Sequence, residues 1–200
     1  MRSLYCDPIH PQGSNMNTYN PKLTLMQMAQ HLRYAKLERQ LRPLCKWVDF
    51  YDYIWSYGSI DWKDKVVLDI GAEVGSSALF FLMNGAKRVL MVENDPMYNT
   101  EYRELKRERI MGGLLDKSQL IDPIILQSRQ FDVLKMDCEG CEGSMLTEEL
   151  LRKSKEFVVG LHKPELSDYG FEQKRKLLER YGGRYLGTVN NGERVWIKRA

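Results

Sequence analysis

The 200-residue chain has only four cysteines, three histidines and seven prolines, and no apolar run longer than residues 78–83. Four cysteines do not make a disulfide framework. A run that short falls well below the ~20 residues of a membrane span. The N-terminal stretch Met1-Arg-Ser-Leu-Tyr-Cys-Asp7 has no apolar signal core. Together these absences predict a soluble, cytoplasmic protein with no membrane partner. Apolar residues make up 43% and charged residues 28%. That balance excludes collagen-like, low-complexity and wholly disordered chains. The length fits one domain, or one domain with an extension.

Charge is unevenly placed. Residues 1–63 carry eight Lys/Arg against five Asp/Glu, whereas residues 64–200 carry 22 of each. The net charge of +3 therefore sits in the N-terminal third. An excess this small suggests an anionic contact there but does not require nucleic acid.

Residues 1–22 hold Pro8, Pro11, Gly13, Asn15, Asn17, Asn20 and Pro21, and read as an irregular arm. Residues 23–59 read as a helical extension, broken near Pro43. From 60 to 200 strands alternate with helices. Expected strands are Lys65–Ile70, Arg88–Glu93, Phe131–Met136 and Glu156–Leu161; expected helices are 75–84, 97–111, 144–154 and 168–181. A final hairpin, 184–189 and 194–198, turns at Asn190-Asn191-Gly192. The pattern predicts an α/β, Rossmann-like fold: a mostly parallel sheet ending in an antiparallel hairpin. Ligands in such sheets bind beyond the carboxyl ends of the strands.

After the first strand the chain reads Asp69-Ile-Gly71-Ala72-Glu73-Val-Gly75-Ser76. The dinucleotide fingerprint needs a glycine where Glu73 stands, and a carboxylate there repels a pyrophosphate. No Gly-Lys-Ser/Thr follows, so a P-loop is excluded. Glu93, 22 residues after Gly71, stands where an acid accepts hydrogen bonds from ribose hydroxyls. An acidic loop beside a nucleoside site suits a cationic, phosphate-free cofactor, S-adenosyl-L-methionine.

These residues resemble a class I S-adenosylmethionine-dependent methyltransferase, in 67–76 and again in Val92-Glu-Asn-Asp-Pro96. A later block, Asp132-Val-Leu-Lys-Met-Asp137-Cys-Glu139-Gly140-Cys-Glu142, resembles the K-x-D-x-E-G-x-E pattern of FkbM-type methyltransferases. The resemblance covers roughly residues 64–163. It departs from the family's usual Glu-Pro, since Asn94 and Asp95 intervene before Pro96, and it lacks a clear third strand. Residues 120–126 are the nearest candidate, with Pro123 confining them to an edge or bulge.

The resemblance implies a cofactor site of Asp69, Gly71, Ala72, Glu73, Gly75, Glu93, Asn94 and Asp137. Asp69 would serve the methionine end and Glu93 the ribose. The adenine residue stays unassigned between Asp116 and Asp122, and Asp95 is open to a capping role. Asp137, Glu139 and His162 are the catalytic candidates; a hydroxyl acceptor needs a base, and Asp137 or His162 would supply it. No metal is assigned, although Asp137, Glu139 and His162 together offer O/N ligands to a divalent ion.

Cys138 and Cys141 form a C-x-x-C. Cys6 and Cys45 are too scattered to complete a zinc site, so the pair reads as small residues within the motif, or as a disulfide in an oxidising setting. Seven of the 21 aromatics lie in residues 47–62, with Trp47, Tyr51 and Trp55 at helical spacing. They read as a helix packed on the sheet; the sharper reading is a wall of the acceptor site. Arg33, Lys36, Arg39, Arg42 and Lys46 form a basic stripe, by default solvated, otherwise a phosphate contact.

The resemblance implies methyl transfer to an oxygen of a small molecule or glycan. The alternatives are an RNA methyltransferase and a non-catalytic binding protein with the same fold. The oligomeric state is not encoded in any motif.

Overall fold

The computed structural model describes Tyr34 and residues 50–163, 165–189 and 193–200. The arm, the break at Pro43, the basic stripe, Trp47 and the turn at 190–192 lie outside the described residues.

Seven strands form one sheet: β1 (Val66–Ile70), β2 (Arg88–Val92), β3 (Ser118–Leu120), β4 (Val133–Met136), β5 (Glu156–Leu161), β6 (Arg184–Thr188) and β7 (Arg194–Lys198). Their order is β3-β2-β1-β4-β5-β7-β6. The first five are parallel, and β7 runs antiparallel between β5 and β6. The doubly wound fold with its antiparallel end matches the sequence reading. The order reverses between β1 and β4, so their carboxyl ends open a crevice.

From residue 50 on, the described α-helices are α1 (Phe50–Tyr57), α2 (Ser76–Met83), α3 (Pro96–Arg107), α4 (Ile110–Gly113), α5 (Glu142–Met145), α6 (Glu148–Lys153) and α7 (Asp168–Arg180). Their ends follow local chemistry. Asp95 caps α3, accepting from the Met97 amide at 2.7 Å, with Pro96 at the first position. Thr147 and Ser167 cap α6 and α7 in the same way. The single helix expected over 144–154 is instead two short ones, because Leu146 is extended and Thr147 starts a new cap.

The alternation of each strand divides the core in two. Val67, Val89, Val133 and Val158 pack on one face, with α1 and α2; Leu68, Leu90, Leu134 and Val159 pack on the other. On the α1 face Trp62 stacks on Phe81 at 4.3 Å, and Tyr34 meets Phe80 at 5.4 Å. Trp55 lies against Gly187, where a Cβ would come within 2.7 Å of its ring.

The third strand corrects the sequence reading. It is Ser118–Leu120, at the sheet edge, and not 120–126. Asp122 accepts from the Ile124 amide at 2.9 Å and Pro123 opens a 3₁₀ helix, Pro123–Ser128. A capped proline turn ends the strand where the apolar residues alone suggested it would continue. Among the described residues no helix is long and apolar enough to cross a membrane.

Candidate functional site

A cavity of about 430 Å³ opens beyond β1, β2 and β4, and α1 forms one wall. Five of the eight expected cofactor residues line it directly, Gly71, Glu73, Glu93, Asn94 and Asp137, and so does Glu139.

The loop after β1 is held by main-chain bonds. Gly71 and Ala72 donate to Val92 O at 3.0 and 3.2 Å, and Gly75 donates to Ala72 O at 2.8 Å. Gly71 has φ +77°, and a Cβ there would lie 1.9 Å from the Asp137 carbonyl oxygen. Only glycine fits both the backbone angle and the contact. Glu93 ties this loop to the next: its carboxylate accepts from the amides of Glu73 at 2.9 Å and Asp95 at 2.8 Å. Each of these oxygens keeps a further lone pair for a ligand hydroxyl. Glu73 is half-buried, and burial pushes its carboxyl up to about 7, with Lys135 acting against the shift.

Asp69, expected at the methionine end of the cofactor, lies behind the loop. It is fully buried and absent from the cavity wall. Alternation puts it on the same face as Val67, beneath α2, where Ser77 donates to it at 2.6 Å. Its strand partner Lys135 reaches it at 3.0 Å and donates to Gly71 O at 2.6 Å. Burial raises the Asp69 carboxyl, and Lys135 opposes that. Burial works against the Lys135 ammonium too, but Asp69 and Asp137 outweigh it and hold its pKa above the ordinary value. Asp69 therefore anchors a buried ion pair under the loop. Ala72 is buried, and neither Ala72 nor Gly75 lines the cavity; both shape the loop through their backbone.

The loop after β4 is held by side chains and a covalent bond. Cys138 and Cys141 form a disulfide, with Cα atoms 5.5 Å apart. Glu142, fully buried, accepts from the amides of Cys138 at 3.0 Å and Gly140 at 2.9 Å. His162, just beyond β5 and 3% exposed, places Nδ1 2.9 Å from Glu142. Burial would raise the Glu142 carboxyl, but the His162 hydrogen bond and the Cys138 amide bring it below its ordinary value. Burial likewise acts against the His162 cation, yet Glu142 and Asp137 push it up to about 9. With no competing cation the imidazole keeps its proton at neutral pH, so the base role expected for His162 would require that proton to be displaced first. Asp137 keeps that geometry: Tyr57 Oη donates to its Oδ2 at 3.2 Å, and His162 Nε2 lies 3.5 Å from its Oδ1. Burial and Asp137 keep the Tyr57 phenol neutral well past its usual range.

Several residues here escaped the sequence reading. Lys135 sits inside the quoted motif, but only the register with Asp69 gives it a partner. Tyr53 and Tyr57, at i and i+4 on α1, wall the cavity; they belong to the aromatic cluster read as a candidate wall, but the helical-face trio singled out from it did not include them, and Trp55 of that trio packs against Gly187. Glu193 precedes β7 and reaches the cavity over Gly160 of β5. Burial and Asp137 push its carboxyl up to about 8, against His162 and Lys135. No local motif marked it. Asp116 and Asp122, the two adenine candidates, are both away from the cavity: Asp116 pairs with Arg109 at 3.3 Å and Asp122 caps its 3₁₀ turn.

Comparison with known proteins agrees with the topology. An O-methyltransferase from Bacillus cereus, crystallised with S-adenosylhomocysteine, superposes with a TM-score of 0.58 at 13% identity, over 88% of this chain and 90% of that one. Magnesium protoporphyrin IX methyltransferase from Synechocystis, with bound S-adenosylmethionine, superposes with a TM-score of 0.55 at 13% identity, over 90% of this chain and all of that one. Likeness at this identity shows that the fold is that of class I methyltransferases. No protein-family model matches the chain. In sequence, it is 33% identical over 158 residues to Uncharacterized protein 158B of Sulfolobus islandicus rod-shaped virus 1, covering 76% of this chain and 90% of that protein. At that identity and coverage the chain belongs to the same family as this viral protein.

Proposed function

We propose that the chain is an S-adenosylmethionine-dependent methyltransferase of the FkbM type that methylates a hydroxyl oxygen of a small molecule or glycan. The supporting observation is the placement of Gly71, Glu93 and Asp137 around one cavity at the switch point of the sheet. The donor set suits this cofactor. Glu93 is available to the ribose hydroxyls, and Glu73 and Asp137 offer negative charge to the amino group and sulfonium. A diphosphate would meet the same carboxylates as repulsion.

The cofactor supplies an activated methyl group. Glu93, Glu73 and Asp137 would hold the cofactor, and the methyl group would be available to the acceptor oxygen with S-adenosylhomocysteine as the leaving product. The hydroxyl proton passes to Asp137. The protein's part is to align the two substrates and exclude water. Tyr53 and Tyr57 would wall the acceptor, and the residues before 60 would choose it.

Calorimetric titration with S-adenosylmethionine and S-adenosylhomocysteine tests the reading. Wild type is expected to bind both saturably, and Glu93→Ala to bind at least about tenfold more weakly, the loss of one charge-assisted hydrogen bond. A folded wild type that binds neither would overturn the proposal.

A further inference from the structure

The groups that meet beyond β4 and β5 resemble an open coordination site more than an ion-pair cluster. We propose that Asp137, His162 and Glu193 bind a divalent metal cation that engages the acceptor's oxygen. This rests on the methyltransferase reading only for what the cation does there; its binding stands on the geometry alone.

One ligand atom from each of the three residues lies within 4.8 Å of the other two. Neighbouring ligands around a cation at ~2.1 Å stand ~3 Å apart, so a small closure completes the set. His162 points to a ligand independently. Its Nε2 is buried and makes no hydrogen bond among the described residues, while its Nδ1 faces Glu142 at 2.9 Å. A carboxylate on one ring nitrogen orients the other toward a metal, the arrangement common behind metal-binding histidines. Glu142 is itself fixed by the Cys138 and Gly140 amides. The chain also makes room for the third ligand: a Cβ on Gly160 would lie 1.7 Å from Glu193 Oε1.

The set differs from the trio that the sequence suggested. Glu139 also stands 3.5 Å from His162 Nε2, but its side chain is 69% exposed on the rim. Glu193 is buried and takes its place. One nitrogen and two carboxylates suit magnesium, manganese or a related divalent ion. Asp137 Oδ1 faces His162 and Oδ2 faces Tyr57, so one oxygen can ligate while the other takes the acceptor's proton. The rival is a proton on Nε2 shared among the same carboxylates.

Manganese titration of the chelator-treated full chain, followed by the electron paramagnetic resonance of free Mn²⁺, separates the two. One saturable equivalent is expected in wild type. Affinity should fall at least about tenfold in His162→Ala and in Glu193→Gln, and about 10–100-fold in Glu142→Gln, which loses only the orienting carboxylate. Glu139→Gln should bind as wild type does. No saturable binding of Mn²⁺ to a wild type that binds S-adenosylhomocysteine would overturn the cation site and leave the methyltransferase reading standing. Binding of Mn²⁺ without S-adenosylhomocysteine would do the reverse. Loss on Glu139→Gln with no loss on Glu193→Gln would also overturn the proposed set. The wild-type titration needs no variant, so its outcome stands even where a mutant misfolds.

Discussion

Two loops meet at the cavity and are built by different means. Residues 71–75, after β1, are held mainly by backbone hydrogen bonds, with Gly71 and Gly75 in the left-handed region and with Glu93 and Lys135 as the side-chain ties. Residues 137–142, after β4, are held by a buried glutamate, a histidine just beyond β5 and a disulfide. The first needs few side chains and presents its backbone to a ligand. The second spends buried charge to aim a few groups, so it is where chemistry is concentrated. The difference predicts that the two loops fail differently.

The sharpest contrast is between two alanine substitutions. In Gly71→Ala the new Cβ meets backbone that has nowhere to go, and the residue keeps an unfavourable φ. A loss of about 3–5 kcal/mol is expected, with cofactor binding abolished. In Gly160→Ala the Cβ meets the end of the Glu193 side chain, which can swing away. Stability should stay within about 1 kcal/mol of wild type. S-adenosylhomocysteine should still bind and Mn²⁺ should not. Urea melts and the two titrations read all three effects. Equal losses of stability would erase the distinction between the loops.

That contrast also explains what the sequence could show. The β1 loop is contiguous, so its glycine spacing and Glu93 are legible as a string. Asp69 is the residue the string places less well: its position suggested a ligand contact, and strand alternation turns that side chain under α2, off the cavity wall. The second site joins residues 137, 162 and 193 from three elements. Only the pairing of β7 with β5 brings Glu193 over Gly160, and no spacing encodes that. The third strand was misplaced for a local reason, because the Asp122 cap and Pro123 outweigh the apolar run that follows.

Next in size is the disulfide. Closing so short a loop removes little chain entropy, so Cys138→Ser with Cys141→Ser should cost about 2 kcal/mol. The effect should be local. Hydrogen exchange should quicken at the Cys138 and Gly140 amides, which donate to Glu142, and stay unchanged at Gly71 and Gly75. Equal quickening in both loops would mean that they open as one unit.

The smallest effect concerns protons on the β1 side. Burial holds the Glu73 carboxyl near 7, so about half of it is protonated at neutral pH. A cationic ligand favours the ionised form and must displace that proton. Affinity for S-adenosylmethionine should therefore rise with pH through 7 and level off above it. Between pH 8 and pH 6 the change is about tenfold, because each pH unit below the pKa costs close to 1.4 kcal/mol. Calorimetry in buffers of different ionisation enthalpy should show proton release near pH 7. Glu73→Gln should flatten the dependence without changing its sign. S-adenosylhomocysteine lacks the sulfonium charge but keeps the amino group, so its dependence should be shallower. The same slope for both ligands would place Glu73 beside the amino group; a slope for S-adenosylmethionine alone would place it beside sulfur.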